Sequence, residues 1–268
     1  MQRCFLALLR LAASLLAAAA LAASVHAQGF AALISPPRFE LAAKPGKTLR
    51  GVIEVSNRST APGHYLIHTA DWTLSPDFSV SFHDDLQPGS CRPWVAIERP
   101  EVVVPGGGTL RYRFEVAVPA DAPSGECRFA VMIEGADPSI AVNKGLDMPV
   151  TGRIGVIVYV TVGDGAPILE VLGPQVATLN GRQVPTLRMH NGGTAHGRVS
   201  GFLTGTDAKG VSYDFTPSDF PILPHEERQV FLTPSTAADD HPTLTFPVTV
   251  KGTLEWGGEK TELNQQFE

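Results

Sequence analysis

Short runs of alternating or β-branched residues recur along the chain from residue 28 onward, and this repetition is the strongest constraint on its fold. Turn residues (glycine, proline, asparagine or aspartate) separate the runs every ten to fifteen residues, whereas apolar positions at helical spacing are scarce. Such a pattern is typical of β-strands joined by turns. The 26 glycines and 22 prolines are scattered without a collagen-like period. The sequence therefore predicts an all-β fold.

The runs predict strands in two groups, with a hinge between them. The first group covers residues 32–41, 49–56, 65–74, 78–82, 94–104, 110–118, 128–134 and 153–162. The second group covers residues 168–172, 185–190, 197–204, 211–215, 228–232, 243–256 with a bend or a break, and 260–266. Gly163-Asp164-Gly165-Ala166-Pro167 is the predicted hinge, and it separates residues 28–164 from residues 165–268. Each part has the size of an immunoglobulin-like β-sandwich, so we expect two such domains.

Residues 1–27 have the pattern of a secretory signal peptide. Arg3 and Arg10 precede an alanine-rich apolar run, and Val25-His26-Ala27 supplies a small-x-small cleavage pattern. We predict export with cleavage after Ala27. An uncleaved membrane anchor is the alternative, although the apolar run is short for a bilayer span. No later segment could span a bilayer, so no stable membrane insertion is expected after removal of the signal.

Cys91 and Cys127 are the cysteines that remain once the leader, with Cys4, is removed. An even pair in an oxidising compartment favours a disulfide over two free thiols. A zinc site is the weaker alternative, because two cysteines without clustered histidines supply too few ligands.

The charge balance and the missing motifs exclude several classes of function. Lysine and arginine number 21 against 27 acidic residues, giving a net charge of −6 with no long basic run, which disfavours nucleic-acid binding. The sequence contains no Gly-x-Ser-x-Gly elbow, no phosphate-binding loop and no His-Glu-x-x-His motif. His190 and His196 flank a turn and form either a weak copper or zinc site or, as we expect, two ordinary exposed histidines. We therefore predict a protein that is not an enzyme and needs no cofactor or metal.

Three segments together carry a resemblance to a known family. They are Ile34-Ser35-Pro36-Pro37-Arg38-Phe39-Glu40-Leu41, Pro93-Trp94-Val95 followed by Val103-Val104-Pro105-Gly106-Gly107, and Arg153-Ile154-Gly155-Val156-Ile157-Val158-Tyr159. In their order and spacing they resemble the periplasmic pilus (fimbrial) assembly chaperones, which have two immunoglobulin-like domains. The resemblance is clearest over residues 32–162. It implies a periplasmic chaperone that holds secreted pilin-like subunits by donating a β-strand and delivers them to an outer-membrane usher.

The resemblance implies that the strand Arg153–Val162 is the donated strand. The residues expected to pair with the client are Ile154, Val156, Ile157, Val158, Tyr159 and Val160. Ile154, Val156, Val158 and Val160 share one face, whereas Ile157 and Tyr159 lie on the other. One face would pack within the chaperone and the other would be available to the client. A central strand covered on both faces is the alternative.

The family also binds the client's terminal carboxylate through a basic pair in the cleft. Arg38 matches the first position of this pair, where a charge-assisted and bidentate bond would be its role. Gly155 stands where the second, a lysine, is expected, so Arg153 is the candidate replacement. Lys144, in the loop that precedes the strand, is either a further basic contact or, as we expect, an ordinary exposed lysine.

A second class of function fits some of the same residues. Lys44-Pro45-Gly46 followed by a strand, and Asn57-Arg58-Ser59, also occur in secreted sandwich domains that bind envelope polymers. A structural or adhesive surface module, which needs no client, is therefore the alternative to a chaperone.

Overall fold

The computed structural model describes residues 30–137, 139–143, 146–239 and 242–268, and this part of the chain is almost entirely β-structure. The predicted leader and its cleavage site after Ala27 lie outside the described residues. The single helical element among the described residues is a 3-10 turn at Arg92–Trp94. Within those residues, no helix has the length and hydrophobicity needed to cross a membrane. The all-β prediction is confirmed.

The first half of the chain forms a β-sandwich around one core. Its strands are β1 (Ala32–Ser35), β2 (Arg38–Ala43), β3 (Thr48–Asn57), β4 (Gly63–Leu74), β5 (Val80–His83), β6 (Val95–Ile97), β7 (Glu101–Val104), β8 (Thr109–Ala117), β9 (Gly125–Gly135), β10 (Ser139–Asn143), β11 (Leu146–Val150) and β12 (Arg153–Val162). One sheet has the order β1-β3-β8-β6, and the other has the order β2-β12-β9-β4-β5 with β7 also paired to β4. The strands β10 and β11 form a separate hairpin before β12.

The second half forms a sheet of seven strands around its own core. Its strands are β13 (Leu169–Leu179), β14 (Arg182–Asn191), β15 (Ser200–Thr206), β16 (Ser212–Pro217), β17 (Glu227–Ser235), β18 (Val248–Trp256) and β19 (Glu259–Phe267). The order is β13-β14-β17-β16-β15-β18-β19, and the two outer strands contact each other. The fold thus contains two β-sandwich units, as predicted, while the exact boundary at Gly165 stays a prediction.

The first predicted strand is divided between the two sheets of the first sandwich. β1 pairs antiparallel with β3, and after Pro36 and Pro37 the chain continues as β2, which pairs parallel with β12. Proline has no backbone N–H to contribute to a ladder, so two successive prolines end one pairing and allow the chain to cross to the other sheet. The prediction of one strand over residues 32–41 was wrong in this respect.

Prolines also explain two other differences from the predicted strands. The predicted strand over residues 94–104 is broken into β6 and β7, with Pro100 between them. The region 243–256 forms strand only from Val248, directly after Pro247. In each case the proline lies where the ladder stops, as its missing donor requires.

Side-chain alternation places the core as the sequence pattern indicates. On β8, Tyr112, Phe114 and Val116 are buried, whereas the intervening Arg111 and Arg113 are exposed. The buried set packs against Val156, Val158, Val160 and Val162 of β12 in the interior of the first sandwich. The period of two along both strands therefore fixes which face of each sheet is interior.

A disulfide joins the loop before the 3-10 turn to the strand β9. Cys91 and Cys127 are bonded with their Cα atoms 5.6 Å apart, and Cys91 is fully buried in the first core. The predicted disulfide is confirmed.

The two sandwiches contact each other directly through the tip of the β4–β5 hairpin. Phe78 at this tip stacks on Phe220 with ring centroids 4.1 Å apart and meets Phe231 edge-on at 5.7 Å. Arg228 donates hydrogen bonds to the backbone carbonyl oxygens of Leu74, at 2.7 Å, and of Ser75, at 2.8 Å. Two aromatic contacts and two charge-assisted hydrogen bonds therefore attach the hairpin to the second sandwich.

We expect the double substitution Cys91→Ala and Cys127→Ala to lower the free energy of unfolding by roughly 3–4 kcal/mol. The disulfide closes a loop of 36 residues, and a cross-link of this span removes about that much chain entropy from the unfolded state. Urea denaturation followed by tryptophan fluorescence measures the change. Reduction of the unsubstituted protein is the matched control and should shift the curve by a similar amount. A loss below about 1 kcal/mol in both experiments would contradict the expectation.

Candidate functional site

The strand β12 has one interior face and one face directed at the cleft between the sandwiches. Val156, Val158 and Val160 are fully buried in the interior of the first sandwich. Tyr159, on the opposite face, packs together with Trp72 and with Leu223 of the second sandwich. The even-numbered residues of β12 therefore form its interior face, and the odd-numbered residues form its outer face. The second sandwich covers part of this outer face.

The two edges of β12 are paired to different extents. β9 pairs with β12 along its full length, from Arg153 to Val162. β2 pairs with the other edge only from Ile157 onward. Among the described residues, no strand pairs with that edge over Arg153–Val156. The first four residues of β12 therefore present an open sheet edge.

The backbone groups on this open edge follow from the alternation along the strand. The N–H of Ile157 donates to the carbonyl oxygen of Pro37, and the N–H of Gly163 donates to that of Ala43, so odd-numbered residues direct their N–H and C=O groups toward β2. The carbonyl of Gly152 accepts from Gly135 on the β9 side. Arg153 and Gly155 therefore direct their N–H and C=O groups to the open edge.

Gly155 lies directly beneath the aromatic ring of Phe82. A Cβ atom at residue 155 would lie 2.3 Å from Cζ of Phe82 and 3.1 Å from Sδ of Met132. A side chain there would require the ring to move, so this close approach requires glycine. The lysine that the family resemblance implies at this position would not fit in this chain, because the apolar side chains of Phe82 and Met132 fill the space.

Arg38 and Arg153 are not brought together. Arg38 is opposite Ile157 in the β2–β12 register, four residues beyond Arg153 along the same strand, which corresponds to roughly 13 Å. Arg153 is exposed and lies 3.8 Å from Glu134, beside a depression that His68 and Arg92 also line. The two arginines predicted as a basic pair thus occupy separate positions, and Lys144 lies outside the described residues.

Arg38 instead belongs to a closed ring of four charged side chains, which we call the cleft ring. Nε of Arg38 lies 3.0 Å from Oε1 of Glu40, and the same oxygen lies 3.5 Å from Nε of Arg198. Asp219 closes the ring, with Oδ1 at 3.5 Å from Nη1 of Arg198 and Oδ2 at 3.3 Å from Nη1 of Arg38. Two residues of β2 and two of the second sandwich therefore alternate in charge across the cleft.

A buried acid lies next to the cleft ring. The side chain of Glu126 is fully buried. Its carboxylate accepts one hydrogen bond from the backbone N–H of His196, at 3.1 Å, and the same oxygen pairs with Nδ1 of the His196 imidazole. The imidazole of His196 stacks on the ring of Tyr159 with centroids 3.8 Å apart. A buried carboxylate needs such partners, because it is otherwise strongly disfavoured in an apolar surrounding.

Tyr159 connects this acid–histidine pair to the cleft ring. Nη2 of Arg198 lies 3.4 Å from the phenol oxygen of Tyr159, and its guanidinium lies 5.9 Å from the centre of that ring. Burial raises the pKa of Tyr159 above its usual value. The phenol therefore stays neutral at physiological pH. These residues line a cavity of about 310 Å³ between the sandwiches.

Sequence reasoning missed most of these cleft residues. His196 was expected to be exposed, and that expectation was wrong, because its side chain is only 8% exposed. Glu126, Arg198 and Asp219 belong to no motif, and they lie far from Arg38 in the sequence, so no pattern signals that they meet. Within the described ranges, no group of three or more histidine, cysteine, aspartate or glutamate side chains is arranged to hold a metal ion.

Comparison with known proteins finds likeness in structure only. No family model matches the chain, and no curated protein matches it in sequence. Among solved structures, the chain is similar to the Escherichia coli chaperone DraB, with 16% identity and a TM-score of 0.45 over 89% of this chain and 98% of that one.

Two further solved structures are of the same kind. One is the class 5 fimbriae chaperone CfaA, with 14% identity and a TM-score of 0.47 over 88% of this chain and 99% of that one. The other is the Salmonella enterica SafB chaperone in complex with the SafA pilin, with 13% identity and a TM-score of 0.43 over 89% and 96%. The chain is thus similar in fold, over most of its length, to chaperones of which one is a fimbriae chaperone and one is bound to a pilin.

Proposed function

We propose that this protein is a periplasmic chaperone, without enzymatic activity, that binds a secreted pilin-like subunit by adding the open edge of β12 to the subunit's incomplete sheet. The observation that carries the proposal is the unpaired edge from Arg153 to Val156, which ends where Arg38 of the cleft ring faces Ile157. An open edge in a folded protein is a ready template for another strand. In this proposal a strand of the client pairs with the open edge, and the chaperone delivers the client to an outer-membrane usher.

The chemistry of the edge suits an incomplete β-sandwich as client. The N–H and C=O groups of Arg153 and Gly155 supply backbone hydrogen bonds, which are independent of the client's sequence. Ile154 is half-buried at the same place, and Phe82 covers Gly155 from the cleft side. A client strand at this edge would therefore gain backbone pairing and apolar contact together, and these are what an unfinished sandwich lacks.

Arg38 supports the proposal as the anchor for the client's terminal carboxylate. It lies at the first residue of β2, opposite Ile157, which is the point where the open edge ends. A client strand that follows the edge toward the cleft would end near this guanidinium. A carboxylate bound there would form a charge-assisted hydrogen bond that is shorter and stronger than a neutral one.

Co-expression in the periplasm tests the proposed function. The chain is produced with a pilin-like subunit, and soluble complexes are separated by size-exclusion chromatography. A one-to-one complex, together with a higher yield of soluble subunit, is the expected result. Binding of the chain alone to cell-wall or surface material, with no complex and no gain in subunit yield, would instead favour an adhesive module.

We expect Arg153→Pro to weaken client binding roughly five- to tenfold more than Arg153→Ala does. Proline removes the N–H that faces the open edge, whereas the pairing with β9 is kept because even-numbered residues make that ladder. A lost backbone donor that leaves the client's carbonyl unsatisfied costs about 1–1.5 kcal/mol. Competition between the variant and the unsubstituted chaperone for the subunit measures the ratio.

Arg153→Ala is the matched control for this comparison, because it removes the same charge and retains the N–H. Proline is tolerated at the first residue of a strand, so the fold of the variant should be unchanged. Circular dichroism and thermal unfolding verify this. Equal client affinity for the proline and alanine variants would show that the open edge does not pair with the client.

We expect Arg38→Ala to weaken client capture at least tenfold, because truncation of one partner of a desolvated charge pair costs several kcal/mol. Arg111→Ala serves as control, since Arg111 is an exposed arginine on β8 with its own acidic neighbour, Glu54, at 3.9 Å. The measurement is the dissociation constant of the complex for both variants. If both variants bind as tightly as the unsubstituted chain, Arg38 is not the anchor.

A further inference from the structure

We propose that Asn180 is a site of spontaneous deamidation in the folded protein, and that the fold protects the pair Asn191-Gly192 from the same reaction. An asparagine side chain reacts most readily with the backbone nitrogen that follows it when the next residue is glycine, because glycine has no side chain to obstruct the approach. The chain contains two Asn-Gly pairs, at residues 180–181 and 191–192. Their surroundings differ in every feature that the reaction requires. The inference goes beyond the proposed function and does not rest on it.

The reaction needs only the chain itself and water. The backbone nitrogen of Gly181 attacks the side-chain carbonyl carbon of Asn180, and a new C–N bond closes a five-membered succinimide ring. The side-chain amide nitrogen leaves as ammonia and takes with it the proton of the backbone N–H. Water then opens the ring at either of its two carbonyl carbons. The products are aspartate and isoaspartate, so each event replaces a neutral amide by a carboxylate.

Asn180 and Gly181 form the exposed two-residue loop between β13 and β14. Their φ angles are 52° and 77°, both positive, as a type I′ hairpin turn requires. Leu179 and Arg182, which flank the loop, are the last pair of the β13–β14 ladder. Both loop residues are exposed, and a Cβ atom at residue 181 would meet no other group within 4 Å. Neighbouring atoms therefore do not obstruct the attack.

The two reacting groups of this loop are also free of hydrogen bonds. Over the described ranges, no hydrogen bond holds the side-chain amide of Asn180, and the backbone N–H of Gly181 donates to no carbonyl oxygen. The attack requires a rotation of the backbone at residue 180. The tip of an exposed hairpin opens at a lower free energy than the strands behind it, so this rotation does not require the sandwich to unfold.

The amide of Asn191 has the opposite surroundings. Asn191 is fully buried, and its side-chain nitrogen donates to the carbonyl oxygens of Ala195 and Ile222, each at 2.8 Å. Its side-chain oxygen accepts from the N–H of Gly193, at 2.9 Å, and from that of Ile168, at 3.1 Å. These four hydrogen bonds fix the amide in one orientation, as is usual for a buried asparagine.

The attacking nitrogen of the second pair is engaged as well. The N–H of Gly192 donates to the carbonyl oxygen of Ile168, at 2.9 Å. Attack on the Asn191 amide would break this bond and those of the amide while both groups are buried. Buried polar groups that lose their partners raise the free energy strongly, so the pair can react only after a larger opening of the sandwich.

Deamidation at Asn180 would change the charge of a small cavity in the second sandwich. Asn180 lines this cavity of about 240 Å³ together with Arg182, Val184 and Pro234. The aspartate product places a carboxylate beside a cavity that also has a guanidinium in its wall, and opposite charges attract. The isoaspartate product lengthens the backbone by one carbon atom in a loop whose two residues set the strand register.

Peptide mapping by mass spectrometry tests the proposal on the full protein, incubated in oxygen-18 water at mildly alkaline pH. Each deamidation takes up one solvent oxygen, which separates events during the incubation from earlier ones. In the folded protein we expect the label to accumulate at least about tenfold faster at Asn180 than at Asn191, because the locked pair must first open. In guanidinium chloride the two pairs should react within about twofold of each other, since the folded environment is then lost.

Asn180→Gly is the matched variant, because a type I′ turn accepts glycine at both central positions. It keeps the hairpin and removes the reacting amide, so the label should disappear from this peptide and the Asn191 peptide should stay unlabelled. Thermal unfolding of the variant verifies that the fold is kept.

Either of two results would overturn the proposal. One is labelling of Asn180 that is more than about tenfold slower in the folded protein than in the unfolded protein, which would show that the turn protects it. The other is a ratio below about tenfold between Asn180 and Asn191 in the folded protein. The measurement uses no client, so its failure leaves the proposed function standing, and failure to capture a subunit leaves the deamidation site standing.

Discussion

The parallel pairing of β2 with one half of β12 is the contact on which the rest of the site depends. It covers β12 from Ile157 to Val162 and no further, because the chain arrives at Arg38 from the other sheet through Pro36 and Pro37. Two prolines cannot contribute donors to a ladder, so the pairing begins only after them. The same break leaves Arg153–Val156 with one unpaired edge and places Arg38 where that edge ends. A β2 strand that began four residues earlier in the same register would close the edge.

The cleft combines features that usually oppose each other in a stable interface. Its aromatic part, with Phe78 between Phe220 and Phe231, resembles a packed core. Its polar part buries Glu126 against His196. Buried ionic groups stabilise less than apolar packing of the same volume, because desolvation offsets most of the attraction. Their value lies in specificity, since a buried carboxylate tolerates few arrangements of its partners. We infer that the polar part fixes how the two sandwiches meet and the aromatic part supplies most of the contact energy.

Much of the fold could be predicted from the sequence, because its signals are local. The strand Arg153–Val162 has the predicted limits, and the alternation in β8 gave the correct interior face. Three of the errors lie at prolines, where a continuous apolar pattern hid a change of sheet or a break. The predicted strands also lacked the hairpin β10–β11 and ended the first strand of the second half at residue 172, whereas β13 continues to Leu179. The disulfide followed from the parity of the cysteines and the expected compartment. Such features depend on neighbouring residues and composition, and these are available without a structure.

The candidate site was less predictable, because it depends on contacts between distant parts of the chain. The hydrogen bond from Arg38 to Asp219 spans 181 residues, and that from the His196 backbone to Glu126 spans 70. No periodicity or motif encodes such meetings. Gly155 was identified as a departure from the family pattern, but only the ring of Phe82 explains why glycine stands there. Charged residues looked alike in the sequence, and the arrangement of the sandwiches decides which of them join the cleft ring.

The single hairpin β4–β5 carries both Phe82, over Gly155, and Phe78, in the aromatic contact with the second sandwich. Through these two contacts the hairpin connects the second sandwich with the start of β12. One hairpin thus contacts both the second sandwich, through Phe78, and the start of the strand whose edge is open, through Phe82.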